Sequence, residues 1–257
     1  MSKILLFLLL AVSLIACQQN STEQSTPPTK KASYPSALIK VFNSHGGLDL
    51  WNSKEELSFN MLKGEQSEQH ITQLRDRREY IKGSNFETGY DGTNYWLKAD
   101  TSAYKGNPKF YHNLMFYFYA MPFVLADPGI IYSEVDSLSF EGKNYPGIAI
   151  SYQDSVGISP EDEYFIYYDP DTYQMKWLGY TVTYFSGEKS DRRSFIQYTD
   201  WQKIDGILLP KTLTWFKSEE GQITEARNSR SFDNVQLFSS EEHSTLYKIP
   251  EGGEIIP

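Results

Sequence analysis

Apolar residues recur at near-helical spacing over residues 34–45, where Leu38, Ile39 and Phe42 would share one face, with Leu48 close to the same stripe. Pro35 suits a first helical turn. Gly46-Gly47 offers the left-handed conformation that ends a helix, and residues 48–51 are expected to add one more turn. From Leu57 onward the pattern changes. Leu57, Phe59 and Met61 alternate with Ser58 and Asn60, and turn signals then follow at close intervals: Asp91-Gly92, Asp169 to Thr172, Gly187, Asp205-Gly206 and Glu220-Gly221. Connections this short join antiparallel strands, whereas parallel neighbours need crossovers of a dozen or more residues. The expectation is a mainly β domain: one antiparallel meander of about nine to eleven strands, a size at which a sheet curls.

One stretch interrupts the meander. Residues 110–125 (FYHNLMFYFYAMPFVL) are almost continuously apolar, and their length favours helix over strand. Pro122 should kink or split that helix, and Asp127-Pro128-Gly129 should end it. A helix apolar on nearly every side must be buried on most of them, and the concave face of a curled sheet, a half-barrel, is the natural place. Leu114, Phe118, Met121 and Leu125 lie at near-helical spacing and form its expected inward stripe.

The chain start has a different character. Lys3 precedes an apolar run from Ile4 to Ile15, followed by Ala16 and Cys17. A run of about a dozen apolar residues suits a signal peptide and is too short to span a bilayer. Leu14-Ile15-Ala16-Cys17 resembles the lipobox of bacterial lipoproteins, which implies cleavage after residue 16 and acylation of Cys17. Two or three acyl chains anchor a protein stably. Cys17 is the one cysteine, so no intrachain disulfide forms and lipidation accounts for an otherwise odd exported thiol. Residues 17–33 carry no large apolar side chain and read as an acylated flexible tether. The domain organisation expected is therefore signal 1–16, tether 17–33 and a single domain 34–257. Gln18 in place of an inner-membrane retention aspartate, with no acidic run after it, points to the periplasmic face of the outer membrane.

Charge and chemistry narrow the function. The formal charge of −9 excludes phosphate-neutralising nucleic-acid binding and a basic membrane patch. His45, His70, His112 and His243 lack metal-ligand spacing, and neither HExxH nor CxxC occurs. His112, inside the apolar stretch, reads as a satisfied core histidine, and His45 as a partner of its helix C-terminus. No G-x-S-x-G or Gly-rich phosphate loop is present. The acidic stretch 160–163 lacks the ligand pattern of an EF-hand loop and reads as a solvated strand entrance. No cofactor, metal or catalytic constellation is indicated. The aromatic content says more: with 19 Tyr, 15 Phe and 5 Trp, several strands are apolar on both faces. Two readings stay open. One is a thick filled core with tyrosine hydroxyls at its rim. The other is a concave aromatic face, walled by Trp96, Tyr167, Trp177 and Tyr180 and roofed by residues 110–125, that holds an apolar ligand. A one-residue slip in register would reverse each wall assignment.

The order of features resembles an uncharacterised family of Bacteroidota-type lipoproteins: lipobox, His45-Gly46-Gly47 with Trp51, Gly89-Tyr90-Asp91-Gly92 with Trp96, the apolar segment 111–127, Asp200-Trp201 and Leu209-Pro210. It is more distantly similar to the lipoprotein-sorting and lipid-carrier proteins of the LolA/LolB type. That resemblance implies a half-barrel of about eleven strands with helices in its mouth and an apolar cavity for lipid, acyl chain or lipoprotein. An anchored chain departs from LolA and is closer to LolB, but no counterpart of LolB's protruding apolar loop is visible. An envelope interaction or sensor module with a filled core is the alternative.

Overall fold

The computed structural model describes residues 33–99, 104–153, 162–182, 192–219 and 221–257. The signal, Cys17 and the tether up to residue 32 lie outside these residues, as do the turn at Gly187 and Pro160 and Glu161 of the acidic stretch. Tyr34–Pro257 forms one compact unit.

Helix α1 (Ser36–Ser44) buries Leu38, Val41 and Phe42. It ends where Gly46 and Gly47 reach positive φ, with Gly47 N–H returning to Phe42 O and Gly46 N–H to Asn43 O, a Schellman arrangement. A Cβ at Gly46 would also stand 2.6 Å from Gly206 O, so glycine is required there twice over. His45 caps this helix as expected, but as a neutral group. Burial pushes its imidazole down to about 4, and Nδ1 lies 2.8 Å from Val41 O. Helix α2 (Leu48–Asn52) buries Trp51.

The strands are β1 (Glu56–Lys63), β2 (Gln66–Gln73), β3 (Glu79–Lys82), β4 (Phe86–Tyr90), β5 (Tyr95–Ala99), β6 (Ile130–Phe140), β7 (Lys143–Tyr152), β8 (Tyr164–Tyr168), β9 (Met175–Tyr180), β10 (Ser194–Ile204), β11 (Ile207–Glu219), β12 (Gln222–Phe238) and β13 (Glu254–Ile256). They form a single 13-stranded sheet in the order β13-β5-β4-β3-β2-β1-β12-β11-β10-β9-β8-β7-β6. The pairs are antiparallel, and the sheet is two meanders, β1–β5 and β6–β12, joined edge to edge by β1 and β12. The strand number exceeds the sequence expectation partly because β3 and β13 are very short. In addition, β7 carries Pro146, a residue that argues against a strand. Pro146 is tolerated because the β6–β7 ladder shifts register between Val135 and Leu138, beside its position.

Strand order explains the apolar interruption. The chain leaves β5 near one edge of the sheet and must reach β6 at the other, so the connecting segment crosses the face between them. Met115, Phe116, Phe118, Tyr119, Phe123 and Leu125 of that segment share one core with inward residues of β1 and β7–β12, among them Phe59, Ile150, Ile166, Leu178, Leu209 and Phe232. Seven strands converging on one cluster describe a curled, unclosed sheet around an apolar plug. The crossing segment is not one kinked helix, however. It comprises α3 (Pro108–Tyr111), α4 (Leu114–Tyr119) and a 3-10 turn (Phe123–Ala126). Pro122 makes one break as expected. The other falls at Asn113, whose φ of 57° is a left-handed conformation that asparagine tolerates.

Two smaller clusters lie on the outer face. Phe165, Tyr167, Trp177 and Phe195 are covered by the far end of β6, which the ladder irregularity at Val135–Leu138 turns over them. Ile71, Tyr80 and Trp96 are covered by the C-terminal segment through Tyr247.

Candidate functional site

A cavity of about 740 Å³ lies between the crossing segment and the inner face of the sheet. Leu114, Met115, Phe118, Met121 and Val124 supply its apolar roof, and Tyr180 and Trp215 part of its floor. Phe118 meets both floor residues, with ring centroids 5.2 Å from Tyr180 and 6.0 Å from Trp215.

Of the residues expected here from the sequence, the structure brings Leu114, Phe118, Met121 and Tyr180 to the cavity. It places the other four elsewhere. Leu125 is fully buried in the core beside the cavity rather than on its wall. Tyr167 and Trp177 face outward: Ile166 pairs with Leu178 on the inner face, so Tyr167 and Trp177, paired one position on, point the other way. Phe140 and Phe216 pack on Trp177 there, at 4.7 and 5.1 Å. Trp96 also faces outward, crosses Gly89, and donates from Nε1 to Tyr247 O at 3.0 Å. Gly89 leaves room for that ring, since a Cβ would stand 2.8 Å from it.

A polar side of the wall went unread in the sequence. Arg77 holds Asp127 through two 2.7 Å contacts from Nη2, tying the start of β3 to the end of the crossing segment. Behind the wall sits a buried chain of acids and imidazoles. Glu79 Oε2 accepts from Asn113 N–H at 2.7 Å and from His112 Nδ1 at 3.2 Å. His70 lies between two carboxylates, 3.5 Å from Glu68 and 4.0 Å from Glu79, as charge contacts rather than close hydrogen bonds. Tyr111 donates to Glu68 at 2.5 Å. Burial opposes the charge of Glu79, yet His112 and His70 outweigh it and hold the carboxyl at about 2. Burial likewise opposes protonation of His70, and the two acids overcome it, raising its pKa. The cluster thus pins the break at Asn113 to β3. The Glu68-x-His70 spacing placed two members on one face of a strand, but the third and fourth required knowledge of the β2–β3 register and of the crossing segment.

Among the described residues no group of His, Cys, Asp and Glu could hold a metal ion, and no helix is long and apolar enough to cross a membrane.

The class these features define is an open antiparallel half-barrel with a helical plug and an apolar cavity. Within it, the chain belongs to a family of unknown function, DUF6503, whose model matches residues 98–226, half of its length. No curated protein sequence matches the chain. Among solved structures it is similar to a DUF1329 family protein from Desulfovibrio piger, with 13% identity over 82% of this chain and 97% of that one and a TM-score of 0.49. It is also similar to a LolA superfamily protein from Nitrosomonas europaea, with 6% identity, 84% and 98% coverage and a TM-score of 0.49. A third is a domain from Vibrio parahaemolyticus described as an outer membrane lipoprotein-sorting protein, with 8% identity, 80% and 100% coverage and a TM-score of 0.45.

Proposed function

We propose that this protein is a lipoprotein held by acylated Cys17 at the periplasmic face of the outer membrane, and that its half-barrel binds a lipid, acyl chain or lipoprotein without catalysing a reaction. The observation that carries this reading is the cavity. Its volume falls within the few hundred to about 1,000 Å³ typical of ligand sites, and its roof is built from aliphatic, thioether and aromatic side chains. An interaction module with a filled core would not need this space.

The chemistry of the wall supports a binding role over a catalytic one. His112 Nδ1 is engaged by Glu79, and its Nε2 lies 2.6 Å from the Asn113 amide nitrogen, which donates to it. Thr181 accepts from Glu163 N–H at 2.9 Å. The described lining residues include no serine or cysteine to serve as a nucleophile. The His112–Glu79 pair is accounted for by its hold on Asn113.

Binding is tested with a fluorescent fatty acid, alongside native mass spectrometry of detergent-extracted protein for co-purifying lipid. Phe118→Asp places a carboxylate in an apolar wall, which costs roughly a few kcal/mol, and should abolish binding. Phe118→Leu, which stays apolar but loses the ring contacts to Tyr180 and Trp215, should retain the fold and bind about tenfold more weakly. A wild-type protein that binds no apolar probe and carries no lipid overturns the reading in favour of an interaction module. Anchoring is tested separately. Cys17→Ser should end palmitate labelling and move the protein to the soluble periplasmic fraction, and unchanged labelling and membrane fractionation would refute it.

A further inference from the structure

The cavity wall changes character along its length. From Phe118 a row of rings runs through Tyr180 to Tyr164, 6.5 Å further on, and then to Tyr152, another 6.0 Å away. Strand ends set this row: Tyr152 closes β7, Tyr164 opens β8 and Tyr180 closes β9, so three neighbouring strands deliver phenols to one rim. The hydroxyl of Tyr90 is used internally, donating to Gly92 O at 2.9 Å. Those of Tyr152 and Tyr164 find no hydrogen-bond partner among the described residues, yet neither is sealed in the protein; both reach the cavity. Two donors lining a cavity with no acceptor among the described residues are groups that a ligand can satisfy.

The charges around them set what that ligand can carry. Arg75 and Arg77 face Asp127 and Asp162 in the same wall, and their formal charges cancel. Neither arginine is uncommitted. Arg77 is bound to Asp127, and Arg75 donates to Asn52 O and Lys54 O. Among the described residues an anionic head group would find no unpaired cation here and would sit near the two aspartates. A cationic one would compete with Arg77 for Asp127. Either charge would lose hydration in a partly enclosed site without a matching partner, a cost an uncharged hydroxyl avoids. Burial, with Tyr164, Asp127 and Asp162 nearby, raises the pKa of Tyr152, and burial with Asp162 raises that of Tyr164, so both remain neutral donors.

We infer that the cavity selects an amphiphile whose apolar chain lies along Leu114, Phe118 and Met121 and whose head is uncharged and hydroxyl-bearing, hydrogen-bonded by Tyr152 and Tyr164. This rests on the ligand-binding reading above and adds a head-group class to it. Glycosyl and glyceryl heads share this chemistry.

The test is displacement of the neutral probe N-phenyl-1-naphthylamine from the purified protein by four twelve-carbon amphiphiles, each below its micelle concentration. These are dodecyl glucoside, monolauroylglycerol, dodecyl phosphate and dodecyltrimethylammonium. At least one of the two uncharged compounds should displace the probe at about tenfold lower concentration than either charged one, and which of the two does so identifies the glycosyl or glyceryl source. The double variant Tyr152→Phe, Tyr164→Phe keeps both rings and should lose about tenfold in that preference, read as the ratio of uncharged to charged displacement against the variant's own probe affinity. Equal or tighter binding of a charged head, or a preference that survives in the double variant, overturns the head-group inference and leaves the cavity reading standing. Failure of the wild-type protein to bind the probe at all overturns the cavity reading, and this inference with it.

Discussion

Glu79→Ala is expected to destabilise the fold by roughly 3–5 kcal/mol, the cost typical of removing one partner from a buried charge pair. The carboxylate is almost completely buried, and each of its neighbours depends on it. Asn113 N–H, which opens α4 after the left-handed break, loses its acceptor, His112 loses the partner of Nδ1, and His70 keeps Glu68 alone. Because a protein of this size has only some 5–15 kcal/mol of net stability, the alanine variant will be partly unfolded at ordinary temperatures. Glu79→Gln is the informative companion, since it retains an acceptor oxygen and removes the charge.

The pH dependence separates charge from shape. Glu79 is held at about 2 against an ordinary 4.5, so its contribution is present above about 4.5 and is lost as pH falls toward 2. Glu68, also lowered, adds to the same acid limb. His70 is raised above its ordinary 6.5, so its contribution is present below that value and disappears as pH rises through the higher folded-state value. Buried neutral His45, held at about 4 against an ordinary 6.5, already loses stability as pH falls below 6.5, so urea midpoints measured from pH 2 to 9 should peak near 6.5 and fall on both sides. In Glu79→Gln the acid limb should be shallower, and the alkaline limb should shrink because His70 has lost one of its two acids. A Glu79→Gln profile parallel to wild type would show that these charges do not stabilise the fold.

That cluster illustrates what a sequence of this type conceals. The meander was legible because its turns are chemically marked. Asp91 accepts from Thr93 N–H and Asn94 N–H at 2.8 and 2.7 Å, and Gly92 has positive φ, so the pattern Asp-Gly maps directly to backbone geometry. The plug was legible because a run without polar positions has nowhere wet to lie, and Leu114, Phe118 and Met121 followed from helical spacing. Facing direction was not legible where strands are buried on both sides. Tyr167 and Trp177 look like inward residues because the neighbours that cover them, Leu138 and Phe140, arrive from a strand more than twenty-five residues earlier. Trp96 is misread for the same reason, since its cover comes from Tyr247. The junction of β1 with β12, which sets where the crossing segment begins and ends, has no local signature at all.

Glu56→Leu should detach the C-terminal segment from the outer face while leaving the cavity intact. Glu56 opens β1 with its side chain fully buried, and it is the hub of that segment. It accepts from Tyr247 Oη at 2.6 Å, from Glu242 N–H at 2.8 Å, and from His243 at Nδ1 and backbone N–H, 2.9 and 3.3 Å away. Burial opposes this charge, but the four donors prevail and lower its pKa, so the hold is strongest above about 4.5 and weakens as pH falls through the lowered value. Leucine removes the acceptor and keeps the bulk. The donors then recover partners only in water, which requires residues 241–250 to lift. Arg78, paired with Glu241 at 2.8 and 3.0 Å, opposes that motion, but ion pairs this exposed contribute about 1 kcal/mol or less. Hydrogen bonds to a charged acceptor are worth about 1.5–3 kcal/mol each in favourable cases, so a loss of about 3 kcal/mol is expected after rehydration. Hydrogen exchange should show lost protection confined to residues 241–250 and to β5, where Trp96 loses its cover. Tryptophan emission should shift to the red, and binding of N-phenyl-1-naphthylamine, on the opposite face of the sheet, should be unchanged. Unaltered protection of residues 241–250 would mean that the apolar contacts of Tyr247 with Trp96 and Tyr80 hold the segment without Glu56.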